Sequence, residues 1–379
     1  MIPVAKPYLT NDEATAAQEA ILSGWVTQGP KVEEFEKKFA EYTGAKHAVA
    51  VSNCTTALHL AMIVGGVKQG DEVICPSMSY IATANCIRYV GANPVFAEVN
   101  PITFNIDVHH VKTLITPRTK AILIVHQIGM PADIDAFQKL CTENGILLIE
   151  DAACAAGSSY KGKKIGSHSD LVCFSFHPRK VITTGEGGMI TTTRSEWAER
   201  LKLLRQHGMA VNDRVRHGSS KVIITDHIEL GYNYRMTDIQ AAMGIKQLEK
   251  LDWIVAERRK VAQQYQTALK GVPSLIVPSE PVHCYSNFQS FCVRLTDDFP
   301  GTVAELMQNL LDAGVSTRPG IMLAHRETAY RESYEHINLP VSEKIYSSSL
   351  LLPLYVPMSA SDVELVVQVL RDLLINRRR

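Results

Sequence analysis

The stretch FSFHPRKVITTGEGGMI, Phe174 to Ile190, runs from apolar residues into a basic turn and a glycine-rich one, then becomes apolar again. Phe174 and Phe176 read as a buried strand, with a second strand starting at Gly188. Between them Lys180 precedes Thr183, Thr184, Gly185, Glu186, Gly187 and Gly188, and glycines there permit positive φ and close backbone approach to a ligand. A lysine so placed could hold phosphate, carry a covalent cofactor or stand in water. The last is the ordinary fate of a lysine. A partly desolvated lysine, in contrast, can form a Schiff base with a carbonyl.

Outward from this stretch, short β-rich runs alternate with helical ones. Strands are expected at 47–52, 72–77, 94–99, 121–127, 145–151, 171–176 and 188–193. Several are apolar throughout, as strands covered on both faces are. TTALHLAMIVGG, YIATANCIRYVG and DIDAFQKLCTENG supply crossover helices. This alternation predicts an α/β domain with a mostly parallel, seven-stranded sheet. Ligands collect at the carboxyl ends of such strands, where Asn53, Ser79, His126, Asp151 and His177 fall. A long helix is expected from Thr237, whose spacing to Gln240 is that of a capping box. Beyond it lie a strand and two helices of a smaller α+β unit. We therefore expect a large domain over 1–250, with an amino-terminal arm and the start of the linking helix, and a small domain over 251–379.

Lys plus Arg and Asp plus Glu are equal at 39 each, so no excess basic charge points to nucleic acid or an anionic membrane. No apolar run approaches the roughly 20 residues of a bilayer span. The opening MIPVAKPYLTNDE lacks the layout of a secretory signal, so a cytoplasmic chain is expected. The eight cysteines form no CxxC pair, which predicts reduced thiols and no metal site.

Two more features bear on chemistry. Asp151 ends a buried strand beside Glu150, where an unpaired charge would be costly. It serves either a structural pair or the cationic ring nitrogen of a cofactor. In VSNCTTALHLAM a helix begins near Thr55, and its first N–H groups, with the Thr55 and Thr56 hydroxyls, make a seat for phosphate or simply a cap. No Walker A sequence or GxGxxG occurs. An acid, a lysine and a phosphate seat in this order match what pyridoxal 5′-phosphate (PLP) requires.

Here the sequence resembles the fold type I PLP enzymes, and within them the DegT/StrS-type sugar aminotransferases. The blocks that carry the likeness run nearly end to end: GWVTQGPKVEEFEKKFAEYTGAKHAVAVSN, PSMSYIATANCIRYVGANPVFAEV, EDAACAAGSSYKGKKIGSHSD, FSFHPRKVITTGEGGMI, LGYNYRMTDIQAAMGIKQLEKL and LLLPLYVPMS. The resemblance implies an internal aldimine on Lys180, a phosphate donor at Ser175, and phosphate-seat positions at Cys54 and Thr55. It implies that Tyr80 stacks on the pyridine ring and Asp151 holds the ring nitrogen. Asn233 would reach the cofactor phosphate of a second subunit, with Arg235 nearby, which makes the expected enzyme a homodimer with shared sites. Where the family often has Gln, Glu or His, this chain has Cys154, a poor hydrogen-bonding group.

The implied reaction is ping-pong transfer of an amino group from L-glutamate to a nucleotide-linked keto sugar, a 4-keto-6-deoxyhexose by family frequency, in amino-sugar biosynthesis. His177, Arg318 and His325 are expected near substrate. The loop carrying Arg205, His207, Arg214, Arg216, His217 and Lys221 either faces an anion or is solvated. Two rival readings keep the fold: a keto-sugar dehydratase, which the lysine at 180 disfavours, and a non-catalytic regulator, which intact Lys180, Asp151, Ser175 and Asn233 disfavour.

Overall fold

The computed structural model describes residues 1–210, 222 and 224–376. Seven strands form the main sheet: β1 (His47–Val51), β2 (Glu72–Pro76), β3 (Asn93–Ala97), β4 (Thr119–Val125), β5 (Leu147–Asp151), β6 (Val172–Ser175) and β7 (Gly188–Thr192). Their order is β1-β7-β6-β5-β4-β2-β3, and β7 alone runs against the other six. All seven expected strands form, some starting a residue or two late.

The apolar runs are explained by what covers them. Helices α1 (Asn11–Leu22), α2 (Pro30–Thr43), α3 (Cys54–Val64), α4 (Ala82–Tyr89), α5 (Val108–Leu114), α6 (Ile134–Asn144) and α7 (Ser195–Leu204) precede the long helix α8 (Asp238–Ala268). One face of the sheet packs Leu148, Val172 and Phe174 against α2, α5, α6 and α8. The other packs Ile149, Leu171 and Cys173 against α3, α4 and α7. Phe35, Phe39, Phe174 and Phe176 meet in tilted and edge-on pairs, with ring centroids 4.9–6.0 Å apart. Each such ring, fully buried, contributes about 1.5–3 kcal/mol.

The long helix starts as its sequence predicts. Thr237 accepts from the Gln240 N–H at 3.2 Å, and Gln240 Oε1 accepts from the Thr237 N–H at 3.0 Å. The next residue, Asp238, caps a different helix: its carboxylate accepts N–H groups of Gly29, Lys31 and Val32 at 2.7–3.0 Å, at the start of α2.

Beyond α8 a second sheet, β8 (Leu275–Ile276), β9 (Phe291–Leu295), β10 (Arg318–Pro319) and β11 (Ser349–Leu352), is ordered β8-β9-β11-β10 and antiparallel throughout. Helices Val303–Asp312 and Ala360–Asn376 accompany it. The amino terminus crosses the boundary expected near 250. Ile2 bridges Val315 and is buried in the core of this second unit, and the Val4 carbonyl accepts the Leu354 N–H. Arg258, buried in the second half of α8, fastens that helix to the second unit by donating to the carbonyls of Phe288, Gln289 and Leu354 at 2.6–3.2 Å. No helix among the described residues is long and apolar enough to cross a membrane.

Candidate active site

The carboxyl ends of β5 and β6 and the start of α3 meet at one edge of the sheet. At α3 the cap is Asn53. Its side chain accepts the Thr56 N–H at 2.9 Å, while Thr56 Oγ1 turns back to the Asn53 backbone. That cap leaves the N–H groups of Cys54 and Thr55, first in the helix, free to face an anion. Gly188 is what allows β7 to lie against this point, since a Cβ there would stand 2.5 Å from the Asn53 carbonyl. The glycine-rich turn thus makes room for the phosphate-seat backbone. Gly185, at φ +81°, is the one that needs left-handed freedom.

Asp151 is buried and held by two donors, the Thr83 hydroxyl at 2.9 Å and the Ala153 N–H at 3.1 Å. Burial raises its pKa, against the pull of these hydrogen bonds and of Lys180. Thr83 is in turn bonded to Ser79 at 2.7 Å. Thr83 escaped the sequence reading. Its signal was the Ser79-to-Thr83 spacing, one helical turn, next to Tyr80.

Lys180 projects from the turn after β6, and its Nζ lies 3.2 Å from Cys154 Sγ. Burial presses the amine toward neutrality, but Cys154, Asp151 and Cys54 together outweigh that and hold its pKa above the ordinary value. Lys180 opens into a cavity of about 510 Å³ with Tyr80, Cys154, Arg179, Gln289 and Arg318. Tyr80 is 63% exposed, so a ring face is available there. Ser175 is buried at the end of β6, where its hydroxyl accepts the His177 N–H at 3.4 Å.

A buried carboxylate, a lysine, a helix start with uncommitted N–H groups and an open aromatic face converge here. This donor set fits PLP, with a place for its ring nitrogen, aldehyde, phosphate and ring plane.

Other expected residues fall elsewhere. His325 is fully buried, bonded to Ser77 Oγ and to Glu343 Oε1 at 3.1 Å, and it braces the core without lining the cavity. His177 is not at the cavity wall either. Its Nδ1 accepts the Arg179 N–H at 3.2 Å, so the ring shapes the turn that presents Lys180. Arg205 is sealed against Glu36 and the Ala50 carbonyl, because its helix ends inside the core. Asn233 is exposed and Arg235 half-buried, both away from this chain's cavity. His207 is exposed, and Arg214, Arg216, His217 and Lys221 lie outside the described residues. Arg318 does line the cavity, as expected; Arg179 and Gln289 line it unforeseen.

The DegT/DnrJ/EryC1/StrS aminotransferase family model matches residues 7–371. The spore coat polysaccharide biosynthesis protein SpsC of Bacillus subtilis is 37% identical over 98% of this chain and 97% of its own. The aminotransferase TlmJ of Streptoalloteichus hindustanus is 35% identical, with a TM-score of 0.92 and full coverage of both chains. PseC of Helicobacter pylori, an aminotransferase involved in pseudoaminic acid biosynthesis, is 28% identical, with a TM-score of 0.92 over 99% of each chain. Fold, donor set and similarity agree: the chain belongs to the DegT/DnrJ/EryC1/StrS family and is a PLP-dependent sugar aminotransferase of fold type I.

Proposed function

We propose that this enzyme takes the amino group of L-glutamate and delivers it, in a second half-reaction, to a nucleotide-linked keto sugar, a 4-keto-6-deoxyhexose, in the cytoplasm. The observation that carries the proposal is Lys180 lining a cavity that also holds two arginines, with the buried Asp151 close enough to act on it electrostatically.

Bound PLP supplies an electron sink for the substrate's α-carbon. Asp151 keeps the ring nitrogen protonated by its negative charge. The Thr83 hydroxyl and Ala153 N–H hold that carboxylate in place. Lys180 would anchor the cofactor and then serve as base and acid, its Nζ passing the proton of the donor's α-carbon to the cofactor in the first half-reaction and a proton from the cofactor to the sugar carbon that gains the amine in the second. Cys54, Thr55 and Ser175 would take the phosphate, and Tyr80 the ring face. Lys180 also favours transamination over the dehydratase reading.

Asn233 and Arg235, turned away from this chain's cavity, would complete the site of a second copy in a homodimer. Mixing Asn233→Ala with Lys180→Ala chains is expected to restore one working site per dimer. Absence of recovery would remove the shared site from the proposal.

The test of the reaction is mass spectrometry of products from a panel of nucleotide-linked keto sugars with L-glutamate. An amino sugar formed with equimolar 2-oxoglutarate is expected. Consumption of sugar without glutamate would replace transamination by dehydration.

A further inference from the structure

The cavity around Lys180 is lined by three cationic side chains, Lys180, Arg179 and Arg318, and by no carboxylate. The arginine ion pairs among the described residues involve Arg118, Arg194, Arg200, Arg205, Arg259 and Arg326, so both cavity arginines are without a partner of opposite charge. Between them stand apolar walls, among them Ile321, Met322 and Leu351. Positive groups set between low-dielectric walls concentrate the field on whatever enters. Once Lys180 is committed to the cofactor, two guanidinium groups remain.

Arg179 is built in place. Its N–H donates to His177 Nδ1 at 3.2 Å, and its carbonyl accepts from Gln289 Nε2 at 2.9 Å. Gln289 is itself fixed, with its N–H on Asn287 Oδ1 at 2.8 Å and its carbonyl on Arg258 at 2.6 Å. The pinned backbone stands next to Lys180, and from it the solvent-exposed Arg179 side chain lines the cavity.

We propose that Arg179, together with Arg318, forms the subsite that takes a doubly charged anion, and that His177 is the positioning residue holding Arg179 there. Guanidinium groups grip carboxylates and phosphates through paired N–H donors, which a lysine ammonium cannot match. The anion is the dicarboxylate of the amino donor or the diphosphate of the acceptor, and the inference deepens the transaminase reading on which it rests.

Calorimetric titration of the PLP-loaded protein with glutarate and with inorganic pyrophosphate tests it without turnover. Arg179→Gln is expected to weaken at least one probe by about tenfold or more, and Arg179→Lys by less. Loss confined to glutarate assigns the donor, and loss confined to pyrophosphate the acceptor. His177→Ala should mimic Arg179→Gln in part, while His177→Asn, whose side-chain oxygen can accept an N–H two residues on, should restore binding. Should Arg179→Gln be poorly folded, Arg318→Gln is expected to give the same loss. The proposal falls if the wild type binds neither probe, or if both folded variants bind both probes as the wild type does. Failure of the wild type to aminate any sugar from glutamate would sink the transaminase reading and leave these binding results standing.

Discussion

Glu150 and Asp151 are consecutive buried carboxylates at the end of one strand, and they do opposite things. Glu150 shares the face of Leu148. There it accepts from His126 Nε2 at 2.7 Å, while His126 Nδ1 accepts the Ala132 N–H at 3.0 Å. Its Oε1 makes no hydrogen bond among the described residues. Asp151 shares the face of Ile149, takes two donors and acts electrostatically on Lys180. The residue types are nearly the same. What separates a structural carboxylate from one available to a cofactor is the pleat of the strand, which turns neighbours to opposite faces.

The largest effect is expected at the group Asp151 faces. Lys180→Ala should lower turnover by on the order of 10⁴-fold and erase the visible absorbance of bound cofactor. Ordinary turnover by that variant would leave the Asp151 side of the comparison without its chemistry. Asp151→Asn should cost about 10²–10³-fold in kcat. Its stability should move the other way. A carboxyl whose pKa is raised on folding lends stability below its unfolded pKa, and that stability is lost as pH rises through the folded value. At pH 8 the ion is therefore a burden, and the neutral amide should melt no lower than the wild type. A fall in both kcat and melting temperature would erase the distinction from Glu150.

Glu150→Gln should do the reverse, sparing turnover of the folded enzyme while destabilising it by about 1–3 kcal/mol in denaturant titration, since His126 loses a charged acceptor. Gly188→Ala should destabilise by a similar 1–3 kcal/mol, because the new methyl group meets the Asn53 carbonyl. Weakened PLP retention would accompany it, as α3 is pushed from the site. The smallest effect concerns pH. Burial holds His59, His168 and His325 below the ordinary imidazole pKa. As pH falls below about 6.5 the unfolded chain gains protons that the folded one refuses, so stability declines with acidification. His325→Gln should flatten that slope slightly in melting curves taken from pH 7 to pH 5.

Much of this molecule was legible in its sequence because its signals are local. Seven apolar runs stand where seven strands form, and the Thr237–Gln240 box opens α8. Lys180, Asp151, Tyr80 and the start of α3 could be named because each sits beside a strand end or in a block with a family likeness. What escaped was long-range. Arg258 reaching three carbonyls, Gln289 pinning Arg179 and Ile2 pairing with Val315 span 30 to 313 residues of chain, and no period or motif encodes such partners. The histidines show the same limit. The resemblance put His177 and His325 near substrate; in the folded chain His177 is held in the Lys180 turn by the Arg179 N–H, and His325 lies buried between Ser77 and Glu343.

From sequence alone came the order of strands and helices and, through the family likeness, Lys180 and Asp151 as candidates, since hydrophobic periodicity and family blocks are written in consecutive residues. Only tertiary structure decided that Asp151 and not Glu150 meets Lys180, that the glycines after Lys180 clear space for α3, and that Arg179 faces the cavity. The reason is that a side chain's environment depends on the face it is turned to and on what packs there, and those neighbours come from distant parts of the chain.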